Sequence, residues 1–162
     1  MDGMNAETKG PFRVNALEDL KALVGEELAV TNYRQVTQEQ VIRFAEATGD
    51  AQWIHVDVER ARRESPYAGT IAHGFLTLSL LAPLMGEAVA FACPLKLAVN
   101  YGLDRVRFPA PVLVGSRIRA RVVLSAAKDI PGGLEVTWNV AIECEGGNKP
   151  SCVAQWVVRY HA

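Results

Sequence analysis

The segment Gly49-Asp50-Ala51-Gln52-Trp53-Ile54-His55-Val56-Asp57 places a carboxylic acid, Asp50, five residues before an imidazole, His55. Asp and His are side chains that handle protons near neutral pH. Converging from a non-helical turn, the pair would hold one water, the carboxylate accepting its proton and the imidazole positioning it or returning a proton. Gln52 lies between them and adds an amide that can orient a neighbour or hold water. Each residue alone has a structural reading too: Asp50 as a helix C-terminal cap or solvated turn, and His55 as a packed histidine bonded to a carbonyl.

A third component follows at Ala72-His73-Gly74-Phe75, the entry to an apolar segment. A helix beginning there offers unpaired amides and the positive end of its dipole, and a glycine lets a carbonyl oxygen approach. That describes an oxyanion hole; equally, Gly74 relieves crowding where the helix meets a sheet. His73 either caps the loop before the helix or lines a pocket, and His161, the penultimate residue, reads as an exposed tail group. The chain lacks GxxxxGK[ST], GxGxxG and HExxH motifs, and its serines lie outside any GxSxG elbow. Phosphate-loop, dinucleotide, zinc and serine-hydrolase chemistries therefore have no sequence support, and no metal is expected.

These residues need elements to position them. Thr37-Gln38-Glu39-Gln40 fits a capping box, Val41, Ile42, Phe44 and Ala45 give an apolar stripe, and Gly49 ends the helix. Asp50 thus falls just past a helix C-terminus. Asp57 is a candidate N-cap for a short polar helix over 58–64, and Ser65-Pro66-Tyr67-Ala68-Gly69 breaks it. Residues 71–92 are long enough to imitate a membrane span, but His73, Gly74, Pro83, Gly86 and Glu87 interrupt them, which favours a buried helix in a globular fold.

The second half changes to period two. Ile118, Ala120, Val122 and Leu124 alternate with Arg117, Arg119 and Arg121, whose face is expected to be solvated; Val136 to Cys144 and Cys152 to Tyr160 alternate likewise. Pro131-Gly132-Gly133 and Gly146-Gly147-Asn148 are the turns of an antiparallel meander. Further strands are expected over 27–33 and over 96–108, with Gly102 as a bulge. Together these give an α+β fold: a curved antiparallel sheet wrapped around the apolar helix.

At 162 residues the chain has the size of one domain, with residues 1–14 expected as a flexible N-terminal leader and 15–162 as the domain. Seventeen Lys and Arg against eighteen Asp and Glu leave a net charge of -1, so no overall basic excess points to nucleic acid. Cys93, Cys144 and Cys152 show no CxxC spacing, and the N-terminus has no signal-peptide apolar run, which together predict a cytoplasmic protein.

GDAQWIHVD followed by GTIAHGF, with NYGLDRVRFPAPVLVGS further on, resembles the MaoC-like hydratase/dehydratase family of hotdog-fold proteins, specifically its branch related to nodulation protein N and the mycobacterial R-specific enoyl-CoA hydratases. The resemblance spans about Val36 to Tyr160. It implies a single hotdog with a long central helix over 74–90, and two subunits joined into one continuous sheet as a homodimer. It also implies reversible addition of water to a trans-2-enoyl thioester, giving the (R)-3-hydroxyacyl-CoA. Asp50 and His55 would then be catalytic, and the Gly74 amide would face the thioester carbonyl. Gln52 and His73 complete the expected substrate site. No cofactor is implied; the coenzyme A thioester is the substrate.

Where many members carry Asn-Pro-Leu before the histidine, this chain has Gln52-Trp53-Ile54, which changes the reach of the water-holding amide and lets Trp53 reshape the pocket. Arg105 and Arg107 are candidates for the CoA phosphates. The alternative readings are a hotdog acyl-CoA thioesterase and a non-catalytic acyl-thioester-binding subunit of a heteromeric dehydratase. The presence of both Asp50 and His55 argues against an inactive subunit.

Overall fold

In the computed structural model, which describes residues 10–162, the chain runs β1 (Phe12–Val14), a 3-10 helix (Leu17–Leu23), β2 (Glu27–Val30), β3 (Arg34–Gln35), α1 (Gln38–Thr48), α2 (Trp53–Val56), α3 (Val58–Glu64), α4 (Gly74–Ser79), α5 (Leu81–Ala88), β4 (Val89–Phe91), β5 (Leu97–Arg107), β6 (Arg117–Ile130), β7 (Gly133–Cys144) and β8 (Pro150–His161). The main sheet has the order β2-β6-β7-β8-β5, with β3 also on β6. All of its pairings are antiparallel, and β6, β7 and β8 form the expected meander. The inward residues Ile118, Val122, Leu124, Val136, Trp138 and Ile142 are completely covered, and they form one core with Leu81, Leu84, Met85 and Ala88 of α5. A sheet curled around a helical segment is the hotdog arrangement.

The central helix differs from the sequence expectation. Instead of one helix over 74–90, α4 and α5 meet at Leu80 and the chain leaves helical geometry at Val89. Proline is the cause: Pro83 has no N–H to give the carbonyl of Ser79, and its ring crowds that carbonyl. The Leu80 N–H to Leu76 carbonyl bond and the Leu84 N–H to Leu80 carbonyl bond, 3.0 and 3.1 Å, carry the chain across the joint. Val89–Phe91 then pairs in parallel with Phe12–Val14. Residues 1–9 of the expected leader lie outside the described residues, but Phe12–Val14 is a strand and Val14 is buried in the core, so the ordered fold starts before residue 15. Among the described residues, no helix is long and apolar enough to cross a membrane.

Two smaller expectations are also revised. Arg117, Arg119 and Arg121 are not simply solvated: they pair with Glu145, Glu143 and Glu27 at 3.1, 3.1 and 2.8 Å. His161 is not a free tail, because it ends β8 opposite Leu97 and Gly133, and its carbonyl accepts the Lys96 amide. The edge strand β5 carries Leu97, Val99, Tyr101 and Leu103, each at least 40 % exposed. Its ladder slips between Asn100 and Gly102, as the glycine there suggested, and again between Leu103 and Arg105.

Leu84 is fully buried between the helix and the sheet. Leu84→Ala is expected to lower unfolding stability by about 2–5 kcal/mol through lost burial and the cavity left behind. Urea denaturation of both proteins measures this as a lower midpoint at similar slope.

Candidate active site

The local sequence releases the site at the end of α1. Thr37 Oγ1 accepts the Gln40 amide at 3.2 Å and the Gln40 side chain accepts the Thr37 amide at 3.0 Å, which fixes the helix start. Gly49 stops the helix with φ 78°, a left-handed geometry that glycine adopts without a Cβ penalty. Asp50 leaves the helix exposed, and five residues on, in the single turn α2, His55 is carried inward to 7 % exposure. Asp57 caps α3 by accepting the Arg60 amide at 2.9 Å.

Three hydrogen bonds strap this turn to the segment before α4. The Ile71 amide donates to the Ile54 carbonyl at 3.1 Å. His55 Nδ1 lies 2.7 Å from the Ile71 carbonyl, and His73 Nε2 lies 2.9 Å from the backbone carbonyl of Asp50. A carbonyl oxygen only accepts, so His55 carries its proton on Nδ1 and His73 on Nε2. His55 Nε2 is therefore left with its lone pair. The Asp50, His55 and His73 side chains each offer a polar atom within 4.8 Å of the others.

The two imidazoles stack, with centroids 3.8 Å apart and planes 27° from parallel, and Phe44 packs on His73 at 4.9 Å. In-plane lone pairs on nearly parallel rings do not converge on one point, and two ring nitrogens already serve carbonyls. The arrangement suits proton handling better than cation binding. Burial is the main influence on His55 and pushes its pKa below the ordinary value; the Ile71 carbonyl opposes this, His73 adds to it, and Asp50 opposes it.

Gly74 opens α4, where first-turn amides have no intrahelical acceptor. A Cβ there would lie 3.1 Å from the Phe108 ring, so the bare glycine lets that ring close over the helix start. Gly74 and Phe108 line a cavity of about 280 Å³ with Tyr67, Ile71, Thr77 and Val112. This space lies beside the start of the buried helical segment.

Other expected residues are placed differently. His73 is 2 % exposed and stacks on His55; like Asp50 and His55, it lines none of the cavities described. Gln52 is exposed and supports the turn through its backbone carbonyl, which accepts the His55 amide at 3.0 Å. Trp53 lies under the Arg60 guanidinium, 4.4 Å from its ring centre. Arg105 and Arg107 border a larger cavity of about 720 Å³, together with outward residues Asn139, Ala141 and Val153; none of Asp50, His55 or Gly74 lines it. Asn139 and Ala141 alternate with the core residues of β7, so that cavity opens on the outer face of the sheet. Gln38 was read only as part of the capping box, yet its Nε2 donates to the His55 carbonyl at 2.7 Å while its Oε1 accepts from Thr70 Oγ1 at 2.6 Å. Its polar, first-turn position gave no sign of a contact seventeen residues away.

Residues 19–143 match the family model described as MaoC like domain. The chain is 49 % identical over 148 residues to "3-hydroxyacyl-thioester dehydratase Z" of Mycobacterium tuberculosis, covering 91 % of this chain and 97 % of that protein. It is 43 % identical over 143 residues to "Nodulation protein N" of Rhizobium meliloti, covering 88 % and 89 %. The solved structure of the (R)-hydratase from A. caviae involved in PHA biosynthesis superposes with a TM-score of 0.66 at 26 % identity, covering 83 % of this chain and 94 % of that one. An acid and a free imidazole nitrogen held beside a helix start, on a hotdog with these relatives, place the chain in the MaoC-like hydratase/dehydratase family of lyases.

Proposed function

We propose that the protein is an R-specific enoyl-CoA hydratase, adding water reversibly and with syn stereochemistry to trans-2-enoyl-CoA to give (R)-3-hydroxyacyl-CoA. The observation that carries this reading is a His55 ring nitrogen within 4.8 Å of the Asp50 carboxylate, on a ring whose Nε2 is the nitrogen not bonded to the Ile71 carbonyl. One water bonded to both groups at ~2.8 Å with a tetrahedral angle spans about 4.6 Å. The water's two hydrogens meet Nε2 and the carboxylate, and its oxygen adds to the β-carbon.

As that bond forms, electrons move through the alkene onto the thioester oxygen. In this reading the amide dipoles at the Gly74 end of α4 face the oxygen on which this charge grows, stabilising the transition state more than the neutral substrate. The proton taken from water returns to the α-carbon from the same side, because both groups flank one face; this gives syn addition. The reaction is redox-neutral and moves one water, so it needs acid–base groups and an anion-stabilising dipole and no cofactor. The similarity to an (R)-hydratase and a 3-hydroxyacyl-thioester dehydratase supports the choice of face and of thioester. Its three cysteines are free, in keeping with a cytoplasmic location.

Asp50→Asn and His55→Gln are expected to lower kcat/KM on crotonyl-CoA by about 10²–10⁴-fold while remaining folded. Loss of the enoyl-thioester absorbance, with product chirality read by an R-specific dehydrogenase, measures this. S-product, or thiol release without hydration, would sink the reading in favour of another lyase or a thioesterase.

The pH dependence has a definite sign. The base must be neutral, and burial lowers the His55 pKa, so the acid limb of kcat/KM is expected with a midpoint below the ordinary histidine value of about 6.5. The same lowering means that the unfolded chain binds more protons here, so this group's contribution to stability declines as pH falls from about 6.5 through the folded pKa. A pH–rate profile on crotonyl-CoA checks the first statement.

We also infer a homodimer joined along β5. An unpaired edge strand bearing Leu97, Val99, Tyr101 and Leu103 in solvent is a template for another strand. Sedimentation should give twice the chain mass, and Val99→Arg should shift it to monomer. A wild-type protein that sediments as a monomer at all concentrations would refute this.

A further inference from the structure

His73 is the most deeply buried imidazole of the site, and the hydration chemistry above does not use it. Its Nε2–H donates to the Asp50 carbonyl, its ring face lies on His55, and its other ring contact is Phe44. Its Nδ1 is buried without a hydrogen-bond partner. A phenylalanine would give comparable packing between Phe44 and His55 without an orphaned acceptor. What only the imidazole supplies is the donor to Asp50. His73 also directly precedes Gly74, so one residue touches the acid's backbone, the base's ring and the start of the helix.

We propose that His73 is a positioning residue that fixes the spacing between the Asp50 carboxylate and His55 Nε2 and links both to the Gly74 helix end. This rests on the hydratase reading. A water held between two groups is sensitive to their separation, and a misplacement of about 1 Å costs about 10²-fold in rate. The His73–Asp50 bond anchors the exposed end of the turn, while the stacked ring backs the buried end. The titratable groups facing His55 are Asp50, from the end of α1, and His73, from the head of α4; the polar groups nearest it are the carbonyls of Ile71 and Gln52. His73 is one of the groups that influence the His55 pKa, so its replacement changes the setting in which that imidazole titrates.

The test compares wild type, His73→Phe and His73→Gln by crotonyl-CoA kinetics and by NMR of the His55 ring, with His55→Gln identifying that signal. His73→Phe keeps the packing and removes the donor; it is expected to lose about 100-fold in kcat with KM within about threefold. Its His55 ring signal should be displaced from that of wild type, because the stacked ring has changed its position. His73→Gln can still donate to Asp50 and should recover part of kcat. A His73→Phe protein with kcat within about threefold of wild type, or with kcat lost but the His55 ring signal unmoved, overturns the proposal. If His73→Phe does not fold, His73→Gln decides: wild-type kcat with an unmoved ring signal overturns the proposal, and a reduced kcat with a displaced ring signal supports it. Absence of turnover by wild type would defeat the hydratase reading separately. The His55 ring signal would then decide the positioning role, a displaced chemical shift in both variants supporting it and a wild-type shift overturning it.

Discussion

The site depends on the strap between the turn at 50–55 and the segment at 71–73. Its bonds join Ile71 to Ile54, His55 to Ile71 and His73 to Asp50. They hold two loop-like stretches, distant in sequence, in a single arrangement. The second stretch is in turn anchored to the chain that follows β5, by the Ala72 amide on the Val112 carbonyl at 2.8 Å and the Val114 amide on the Thr70 carbonyl at 2.9 Å. These bonds satisfy backbone groups that would be costly to leave without a partner away from water. The same bonds set the tautomers, and so decide which imidazole nitrogen is left for chemistry.

Burial of His55 serves packing and reactivity together. Surrounded by Ile71, His73 and the α1 region, the ring is disfavoured as a cation and keeps the lone pair that a base requires. Asp50, by contrast, is exposed to solvent. The two neighbouring groups thus occupy different dielectric settings. The stacked His73 reinforces the contrast on one side, and Gln38 grips the His55 carbonyl on the other.

The break at Leu80 separates two tasks of the central segment. α5 packs Leu81, Leu84, Met85 and Ala88 into the sheet, while α4 presents Gly74 to the cavity under Phe108. Pro83 relieves the two halves of a shared hydrogen-bond ladder at one step, so the functional start is less tied to the packed end. The exposed pair Phe75 and Phe108, 6.4 Å apart and edge to face, borders that start.

Local patterns were enough for most elements. Strand alternation with Gly turns defined the meander, the Thr37 box and Gly49 bounded α1, and Asp57 marked α3, because each signal acts within a few residues. Asp50 and His55 were legible as a pair for the same reason: a short turn alone brings them near. Periodicity overran the central helix, since apolar character continues through Pro83 and into β4, where backbone hydrogen bonding rather than hydropathy decides. The role of His73, the grip of Gln38 and the position of Arg105 and Arg107 on the outer face were not legible, because each depends on contacts between segments far apart in the chain. Sequence determined which groups were available and where turns would release them; tertiary packing alone decided which nitrogen stays free, because that follows from which carbonyl each ring meets.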